Sequence, residues 1–252
     1  MKIICTDYDG TLNHGGITEK KLEAIKKWKD AGNLFCIVSG RQKEFYKEIS
    51  DNDIPVDYLL ACNGAVIVDK DCNTVSDVRC NEDIGNELIE FIFSQDCSFV
   101  LYCGDEFLCL RPVNLPYRNA IEYNPDKKIK AFNQISTACS GFDEAARVTA
   151  LIRERFGKWL NPLQNGTCID IVPAGMDKAQ GIYRLLDIAG GRKEDVIAVG
   201  DNVNDEAMII NYLATSENVV VPENISYTSH SALKLKLNFS IYSITLSILL
   251  SK

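Results

Sequence analysis

The sequence predicts an α/β protein with a core built on a parallel sheet and a smaller α+β unit inserted into that core. Short apolar runs alternate with helical stretches over much of the 252-residue chain, which is typical of a parallel sheet with helices on both faces. Two of the apolar runs end in paired aspartates, and sheets of this kind bind ligands where their strands end. The stretch from Cys80 to Val172 breaks the alternation, which indicates the insertion.

Residues 1–80 predict three strands, two helices and a hairpin-like pair. Leu22, Ile25 and Trp28 recur at helical spacing, with Thr18 as the cap and Gly32 as the stop of that helix. The predicted elements, in order, are a strand over Lys2–Thr6, a helix over Thr18–Ala31, a strand over Asn33–Val38, a helix that contains Phe45 and Ile49, a strand over Tyr58–Leu60, and the paired runs Val66–Val68 and Thr74–Val78.

The rest of the chain predicts the insertion and then a return to alternation. Its elements are a helix over Asp83–Ser94, strands over Ser98–Cys103 and Glu106–Leu110, a proline-rich connection, a helix over Phe142–Phe156, a strand over Thr167–Ile171, a helix over Gly175–Ala189, a strand over Val196–Val199 and a helix over Glu206–Leu213. We therefore expect residues 1–80 and 173–252 to form a discontinuous Rossmann-like core, and residues 81–172 to form the inserted α+β domain. The apolar, serine-rich tail Leu235–Leu250 is either a divergent last strand and helix or an altered end of the chain.

Charge and cysteine content restrict the class of protein. A net charge of −8 argues against a nucleic-acid-binding surface, which normally shows as a basic patch. Ten cysteines without a C-x-x-C pair or zinc spacing predict free thiols in a reducing cytoplasm. No segment reaches transmembrane length, and no signal peptide precedes the first strand. We expect a cytoplasmic protein with no nucleic-acid or membrane partner, whose oligomeric state the sequence leaves open.

The first candidate site is the segment Asp7-Tyr8-Asp9-Gly10-Thr11, which directly follows the first predicted strand. Burying two like charges close together is costly unless a cation or protons offset them. A divalent cation meets that cost, and clusters of aspartate oxygens suit magnesium (Mg2+). The alternative is a turn with an Asx cap, because Asp and Gly are favoured in turns for local reasons.

Ser39 and Lys178 are candidate phosphate-binding residues in two further segments. Ser39 ends an apolar strand and precedes Gly40 and Arg41, so its hydroxyl and nearby backbone N–H groups at a helix amino-terminus predict a phosphate cradle. A plain serine helix cap is the alternative. Lys178 opens a helix, where cations are disfavoured, and a bound phosphate would remove that objection.

The fourth segment, Gly200-Asp201-Asn202-Val203-Asn204-Asp205, follows the predicted strand Val196–Val199. It supplies a second pair of carboxylates at a strand end. An acidic loop with Asx turns is the alternative, but a second carboxylate pair directly after a second buried strand argues against a chance occurrence.

The four segments, in this order and at these separations, resemble the motifs of the haloacid dehalogenase (HAD) superfamily of phosphohydrolases. The insertion resembles the large cap domain of the Cof-like branch of that superfamily, whereas the tail departs from the family pattern. The resemblance implies that Asp7 is a nucleophile that becomes an aspartyl-phosphate, and that Asp9 is the general acid and base. The implied catalytic residues also include Lys178, which bridges the nucleophile and the phosphate.

The resemblance also implies ligand sets. The implied phosphate-binding residues are Gly10, Ser39, Gly40, Lys178 and Asn204, and the implied metal-binding residues are Asp7, Asp9 through its backbone carbonyl, Asp201 and Asp205. Arg41 and Asn63 lie near the expected cleft mouth and are candidates for substrate contact. In the cap, Arg111, Tyr117 and Arg118 are further candidates.

The implied activity is that of a magnesium-dependent phosphatase acting on small phosphorylated metabolites such as sugar phosphates, with the cap closing over the site and selecting the leaving group. Two alternatives stay open. A phosphomannomutase-like phosphosugar mutase would use the same four motifs. A non-catalytic, ligand-binding member of the fold is the other, against which the intact pair Asp7 and Asp9 argues.

Overall fold

Two β-sheets organise the described part of the chain. The computed structural model describes residues 1–95, 97–110, 120–121, 128–213 and 219–220. The strands are β1 (Ile3–Thr6), β2 (Leu34–Val38), β3 (Tyr58–Ala61), β4 (Val66–Asp69), β5 (Thr74–Asp77), β6 (Val100–Cys103), β7 (Phe107–Leu110), β8 (Ala120–Ile121), β9 (Gln134–Ala138), β10 (Leu160–Asn165), β11 (Cys168–Pro173), β12 (Val196–Val199) and β13 (Val219–Val220). The helices are α1 (Glu19–Asp30), α2 (Tyr46–Asp51), α3 (Glu82–Ser94), α4 (Phe142–Phe156), α5 (Lys178–Ala189) and α6 (Glu206–Leu213).

The first sheet is mainly parallel and has the strand order β13-β12-β1-β2-β3-β4-β5. Strands β13 to β3 in that order pair in parallel, whereas β4 and β5 pair antiparallel at one edge. Because β1 lies between β12 and β2, the chain leaves three adjacent parallel strands at the same edge of the sheet. The predicted α/β class is confirmed.

Alternate residues of β2 divide the core of the first sheet between its two faces. Phe35 and Ile37 belong to an apolar cluster that includes Ile49 of α2. Cys36 and Val38 belong to a second cluster, on the opposite face, with side chains of α5 and α6. Successive side chains of a strand point to opposite faces, so helices cover both faces of this sheet.

The second sheet has the order β10-β11-β9-β6-β7-β8 and is antiparallel except between β7 and β8. Helices α3 and α4 pack on it through a separate apolar cluster that includes Leu88, Ile92, Val148 and Ile152. An antiparallel sheet with its own core and helices is what an inserted cap domain would have.

Three strands of this second sheet, β8, β9 and β10, are absent from the predicted elements. Strand β9, at the centre of the sheet, falls in the predicted proline-rich connection, because its sequence Gln-Ile-Ser-Thr-Ala carries few apolar residues. Strand β10 contains Pro162, which is tolerated because β10 is an edge strand. Polar composition and proline thus concealed strands that tertiary pairing stabilises.

Other predicted elements lie within a few residues of their observed bounds, with one larger shift. Helix α5 begins at Lys178, three residues after Gly175, whose φ of +78° belongs to the preceding turn. Within the described residues, no helix has the length and apolar character needed to cross a membrane. The tail Leu235–Leu250 and the cap candidates Arg111, Tyr117 and Arg118 lie outside the described residues.

Candidate active site

Asp7 lies at the centre of the candidate site, one residue beyond β1. Its backbone N–H donates to the carbonyl of Val199 at 2.8 Å, which continues the pairing of β1 with β12. Only 6% of Asp7 is exposed. Burial raises the pKa of Asp7 from its ordinary 3.8 to about 6, although Lys178 opposes the rise. The negative charges of Asp205 and Asp201 act in the same direction as burial.

Lys178 is fully buried and joins two carboxylates. Its Nζ lies 2.6 Å from Asp7 Oδ1 and 2.6 Å from Asp205 Oδ1. It is the first residue of α5, whose amino-terminus is capped by Asp177 through a hydrogen bond from the Gln180 N–H at 2.8 Å. Burial lowers the pKa of Lys178, but the carboxylates of Asp205 and Asp7 outweigh burial and raise it. The ammonium therefore keeps its charge inside the protein.

Both carboxylate oxygens of Asp205 are already engaged. Oδ1 accepts from Lys178, and Oδ2 accepts from the backbone N–H groups of Asp201 and Asn202, each at 3.0 Å. Gly200 permits this tight turn, because a Cβ there would lie 2.6 Å from the Cβ of Asp205. Asp205 thus orients Lys178 and the loop after β12, and offers no free oxygen.

Asp201 contacts the loop that follows β1. Thr11 Oγ1 donates to Asp201 Oδ1. Gly10 has a φ of +85°, and a Cβ at this position would lie 2.5 Å from Asp201 Oδ2. Glycine therefore lets the two loops approach each other. Asn204 lies half-buried in the short turn Val203–Asp205 that follows Asp201.

The geometry and charge of this cluster fit a divalent cation. Asp7, Asp201 and Asp205 each bring a carboxylate oxygen within 4.8 Å of the others. Three carboxylates facing the single ammonium of Lys178 leave an excess of negative charge, and hard cations such as Mg2+ prefer oxygen ligands. Among the described residues, Asp201 Oδ2 accepts no hydrogen bond and is free to bind a cation, while Asp7 Oδ1 accepts only one and Asp7 Oδ2 accepts none. Asp7 can therefore offer one oxygen to a cation and keep the other free.

The Asp9 carboxylate lies apart from the cluster, in a two-point ion pair with Arg41. Arg41 Nε donates to Asp9 Oδ2 at 2.8 Å, and Nη2 donates to Oδ1 at 2.7 Å. Arg41 also donates to Glu48 at 2.8 Å and stacks 4.5 Å from the ring centre of Phe45. The Asp9 side chain is 53% exposed, so it lies at the mouth of the site. Any contribution of Asp9 to a metal site would come from its backbone carbonyl.

Ser39 and Gly40 follow β2, the strand next to β1. The N–H of the buried Ser39 donates to the carbonyl of Leu60 at 2.9 Å, and Ser39 Oγ accepts from the Arg41 N–H at 3.1 Å. The predicted position of Ser39 at a helix amino-terminus is wrong, because the next helical turn begins only at Lys43. Ser39 is instead a strand-end residue whose hydroxyl hydrogen is still available to a ligand.

Asn63 connects the first sheet to a polar network in the second sheet that the sequence analysis missed. Asn63 Nδ2 donates to Gln134 Oε1 at 2.9 Å and to Asp170 Oδ2 at 3.0 Å. Ser136 Oγ donates to Asp170 Oδ1 at 2.7 Å, and Gln134 Nε2 donates to the carbonyl of Gly40 at 2.8 Å. The signal that could have revealed it was Asp170 itself, a single carboxylate within the apolar run of β11.

The fold and the match to a known family agree with this site. Residues 4–213 match the haloacid dehalogenase-like hydrolases, and the chain belongs to this family. The predicted HAD membership is confirmed, and so is the predicted enzyme class, a HAD-type phosphoric monoester hydrolase.

Named relatives cover most of the chain. It is 27% identical to the 5-amino-6-(5-phospho-D-ribitylamino)uracil phosphatase YwtE of Bacillus subtilis, over 82% of this chain and 84% of that protein. It is 25% identical to the pyridoxal phosphate phosphatase YbhA of Escherichia coli, again over 82% of this chain and 84% of that protein. The crystal structure of SMU.1108c from Streptococcus mutans superimposes with a TM-score of 0.78 at 18% identity, covering 90% of this chain and 89% of that one.

Proposed function

We propose that this protein is a magnesium-dependent phosphatase that hydrolyses small phosphate monoesters through an aspartyl-phosphate on Asp7. The observation that carries the proposal is the buried Asp7 carboxylate. One of its oxygens is held by Lys178 at 2.6 Å, while the other accepts no hydrogen bond from the described residues. A carboxylate arranged in this way is oriented, desolvated and free to attack on one side.

A bound Mg2+ would be held by Asp7, Asp201 and the backbone carbonyl of Asp9, with Asp205 supporting the loop. The ion would neutralise phosphate charge, so that an anionic nucleophile can approach an anionic phosphoryl group. The excess negative charge of the cluster supports this assignment, because it favours a cation in the same place.

In the first step, the free oxygen of Asp7 attacks phosphorus, and the bond from phosphorus to the ester oxygen breaks. Asp9 supplies the proton that the leaving oxygen takes up. A protonated Asp9 loses the negative charge that holds both hydrogen bonds from Arg41, and its acid proton needs a free direction towards the leaving oxygen, so this ion pair would open during the cycle. Glu48 would hold the guanidinium meanwhile, since Arg41 is bound to both carboxylates.

In the second step, water attacks the phosphorus of the aspartyl-phosphate, and Asp9 accepts a proton from that water. The bond between phosphorus and the Asp7 oxygen breaks, which restores the carboxylate and releases phosphate. Lys178, Ser39 and the backbone N–H groups around Gly10 and Gly40 would stabilise the phosphoryl oxygens, with Asn204 as a further donor. The positions of Ser39 and Asp7 at the ends of adjacent parallel strands support this arrangement.

We assign residues 81–172 as the cap domain and residues 1–80 with 173–252 as the core, and the substrate would bind between them. The separate apolar clusters of the two sheets support that division. The relatives named above are phosphatases of 5-amino-6-(5-phospho-D-ribitylamino)uracil and of pyridoxal phosphate, which supports a small phosphorylated metabolite as substrate. Ten free cysteines support a reducing, cytoplasmic location.

Phosphate release from a panel of small phosphate monoesters tests the proposal, measured with Mg2+ and with a chelator. Wild type is compared with Asp7→Asn, Asp9→Ala and the control Asp187→Asn, which changes an exposed carboxylate on α5. We expect magnesium-dependent release by wild type and by the control, no turnover by Asp7→Asn, and a loss of about 10²–10⁴-fold for Asp9→Ala.

Retention of most activity by clean Asp7→Asn protein would contradict the nucleophile, and chelator-resistant turnover would contradict the metal. A wild-type protein that releases no phosphate but isomerises a sugar phosphate when given a sugar bisphosphate would be a mutase. A folded protein with neither activity would be a binding member of the fold.

A further inference from the structure

The polar network between the two sheets contains more acceptors than donors. Its donors are the Asn63 and Gln134 amides and the Ser136 hydroxyl, and its acceptors include both oxygens of Asp170. Gln134 Nε2 is shared among the Gly40 carbonyl at 2.8 Å, Ser136 Oγ at 3.0 Å and Asp170 Oδ1 at 3.4 Å. The network is therefore short of hydrogen-bond donors.

Asn63 has a fixed orientation that leaves its carbonyl oxygen without a partner. The side chain is fully buried, and within the described residues Oδ1 finds no hydrogen-bond donor. Exchanging its oxygen and nitrogen would not help, because Oδ1 would then face two acceptors, Gln134 Oε1 and Asp170 Oδ2. A buried acceptor left unpaired is costly, which points to a donor that binds there.

The backbone around Asn63 is held in an unusual conformation. Cys62, Asn63 and Gly64 have φ values of +50°, +51° and +91°, all in the left-handed region. Cysteine rarely adopts this conformation, and such strain persists where a structure holds a side chain for a purpose. The strained turn directs the Asn63 amide towards Asp170 across the boundary between the sheets.

Among the described residues, no lysine or arginine forms an ion pair with the Asp170 carboxyl group. Burial raises the pKa of Asp170, and the hydrogen bonds from Ser136 and Asn63 only partly oppose this effect. Asp170, taken as a whole residue, is nevertheless partly exposed. A carboxylate in this environment favours a ligand that brings a donor or a positive charge.

The network lies next to the proposed phosphate site. A Cβ on Gly40 would lie 2.8 Å from Asp170 Oδ2 and 3.5 Å from Asn63 Oδ1, so these acceptors line the backbone directly after Ser39. Asp170 is also close enough to Lys178 for the ammonium to stabilise its charge. A group attached to a phosphate at Asp7 would therefore reach the network from the boundary between the two sheets.

We propose that Asn63 and Asp170 form a leaving-group subsite that accepts hydrogen bonds from a hydroxyl or ammonium group close to the phosphate ester. The inference rests on the proposed phosphatase activity, and it specifies the substrate class as esters of donor-rich alcohols. The Asn63 oxygen is enclosed while the sheets are in contact, so the donor enters when they part. The competing role for the network is a latch, that is, a structural contact that only holds the two sheets together. A latch would not change the preference of the enzyme among leaving groups.

The test compares kcat/KM for three phosphate monoesters at saturating Mg2+. Glycerol 3-phosphate presents hydroxyl groups, O-phosphoethanolamine presents an ammonium group, and propyl phosphate presents no donor. We expect wild type to prefer at least one of the first two over propyl phosphate by about tenfold or more, as for hydrogen bonds to a charged acceptor. In Asp170→Asn this ratio should fall towards one.

Asn133→Ala is the matched control. Asn133 also bridges the sheets, by donating to Asp77 Oδ1 and to the carbonyl of Val78 at 2.9 Å, but it does not contact Gly40. This variant should keep the wild-type ratio, and thermal denaturation verifies that both variants are folded.

Each other outcome has a definite meaning. Equal kcat/KM for all three esters in wild type would overturn the subsite and leave the phosphatase intact. Equal losses on all three esters in Asp170→Asn would assign the network to a latch. No release from any ester by wild type would contradict the proposed activity itself.

Discussion

At the scale of single residues, the three carboxylates of the candidate site differ in what their oxygens are free to do. Asp205 is saturated by Lys178 and two backbone N–H groups, whereas Asp7 is held through one oxygen only. Lys178 therefore fixes Asp7, the proposed nucleophile, without covering its second oxygen. Buried ions of this kind are weak contributors to stability, because desolvation offsets their attraction. Their arrangement is better explained by chemistry than by folding.

Replacing Asp7 with the neutral Asn should stabilise the metal-free protein at alkaline pH. The folded-state pKa of Asp7 is raised to about 6 from 3.8, so ionised Asp7 destabilises the fold above that pH. Two pKa units correspond to an upper limit of about 3 kcal/mol. The gain in Asp7→Asn should be complete above about pH 7, shrink as the pH falls from 6 towards 4, and vanish below that.

Urea denaturation across this pH range, in chelator, measures the difference in unfolding free energy. The control Asp187→Asn removes an exposed charge and should change stability by no more than about 0.5 kcal/mol. An Asp7→Asn protein that is less stable than wild type at pH 8 would show that the ion pair with Lys178 outweighs desolvation.

At the scale of elements, the contact between α5 and the turn Cys62–Gly64 positions Lys178. The Gly64 and Gly181 backbones touch so closely that a Cβ on Gly181 would lie 2.5 Å from Gly64 Cα. Lys178 lies one helical turn before Gly181, so this contact sets the distance of the helix amino-terminus from β1. The contact between Gly64 and Gly181 thus determines where the Lys178 ammonium group meets Asp7.

Gly181→Ala should therefore destabilise the protein, although alanine normally favours a helix over glycine by about 1 kcal/mol. The added methyl group must displace backbone, which costs about 1–3 kcal/mol, and moving α5 should lower kcat at least tenfold. Thermal unfolding and steady-state kinetics measure both effects. Gln180→Ala, at an exposed position of the same helix, should change neither. A Gly181→Ala protein that is more stable than wild type would disprove the close contact.

At the scale of the whole molecule, the sequence could predict the site residues that local patterns identify, but not those that only long-range contacts bring together. Asp7, Asp201 and Lys178 were predictable, because each follows a turn or an apolar run that identifies a strand end or a helix start. Asp170 was not, because its contact with Asn63 spans 107 residues and depends on the placement of β11 against the first sheet. Strand β9 was missed for the same reason, since its neighbours in the sheet are β6 and β11.

The reactivity of the ten cysteine thiols measures how tightly both sheets are packed. All ten lie in the described part of the chain as free thiols, and only Cys72 is exposed. Cys139 and Cys168 are partly buried, and burial raises the pKa of both thiols, to about 12 for Cys139. Because the thiolate is the reactive form, buried thiols of high pKa react slowly. We expect one fast thiol with dithionitrobenzoate at pH 8 in the native protein, and ten in denaturant.

Cys72→Ser should remove the fast phase and leave the other nine thiols to react in denaturant. Several fast thiols in the native protein would mean that one of the two sheets opens in solution. Mapping the labelled cysteines by mass spectrometry would identify which sheet opens. Cys62 and Cys103 are the most informative pair, because they are buried in the same apolar cluster, Cys62 directly after β3 of the first sheet and Cys103 on β6 of the second. Their protection requires the sheets to remain in contact, so rapid labelling of this pair on addition of a substrate would record the parting that the leaving-group subsite requires.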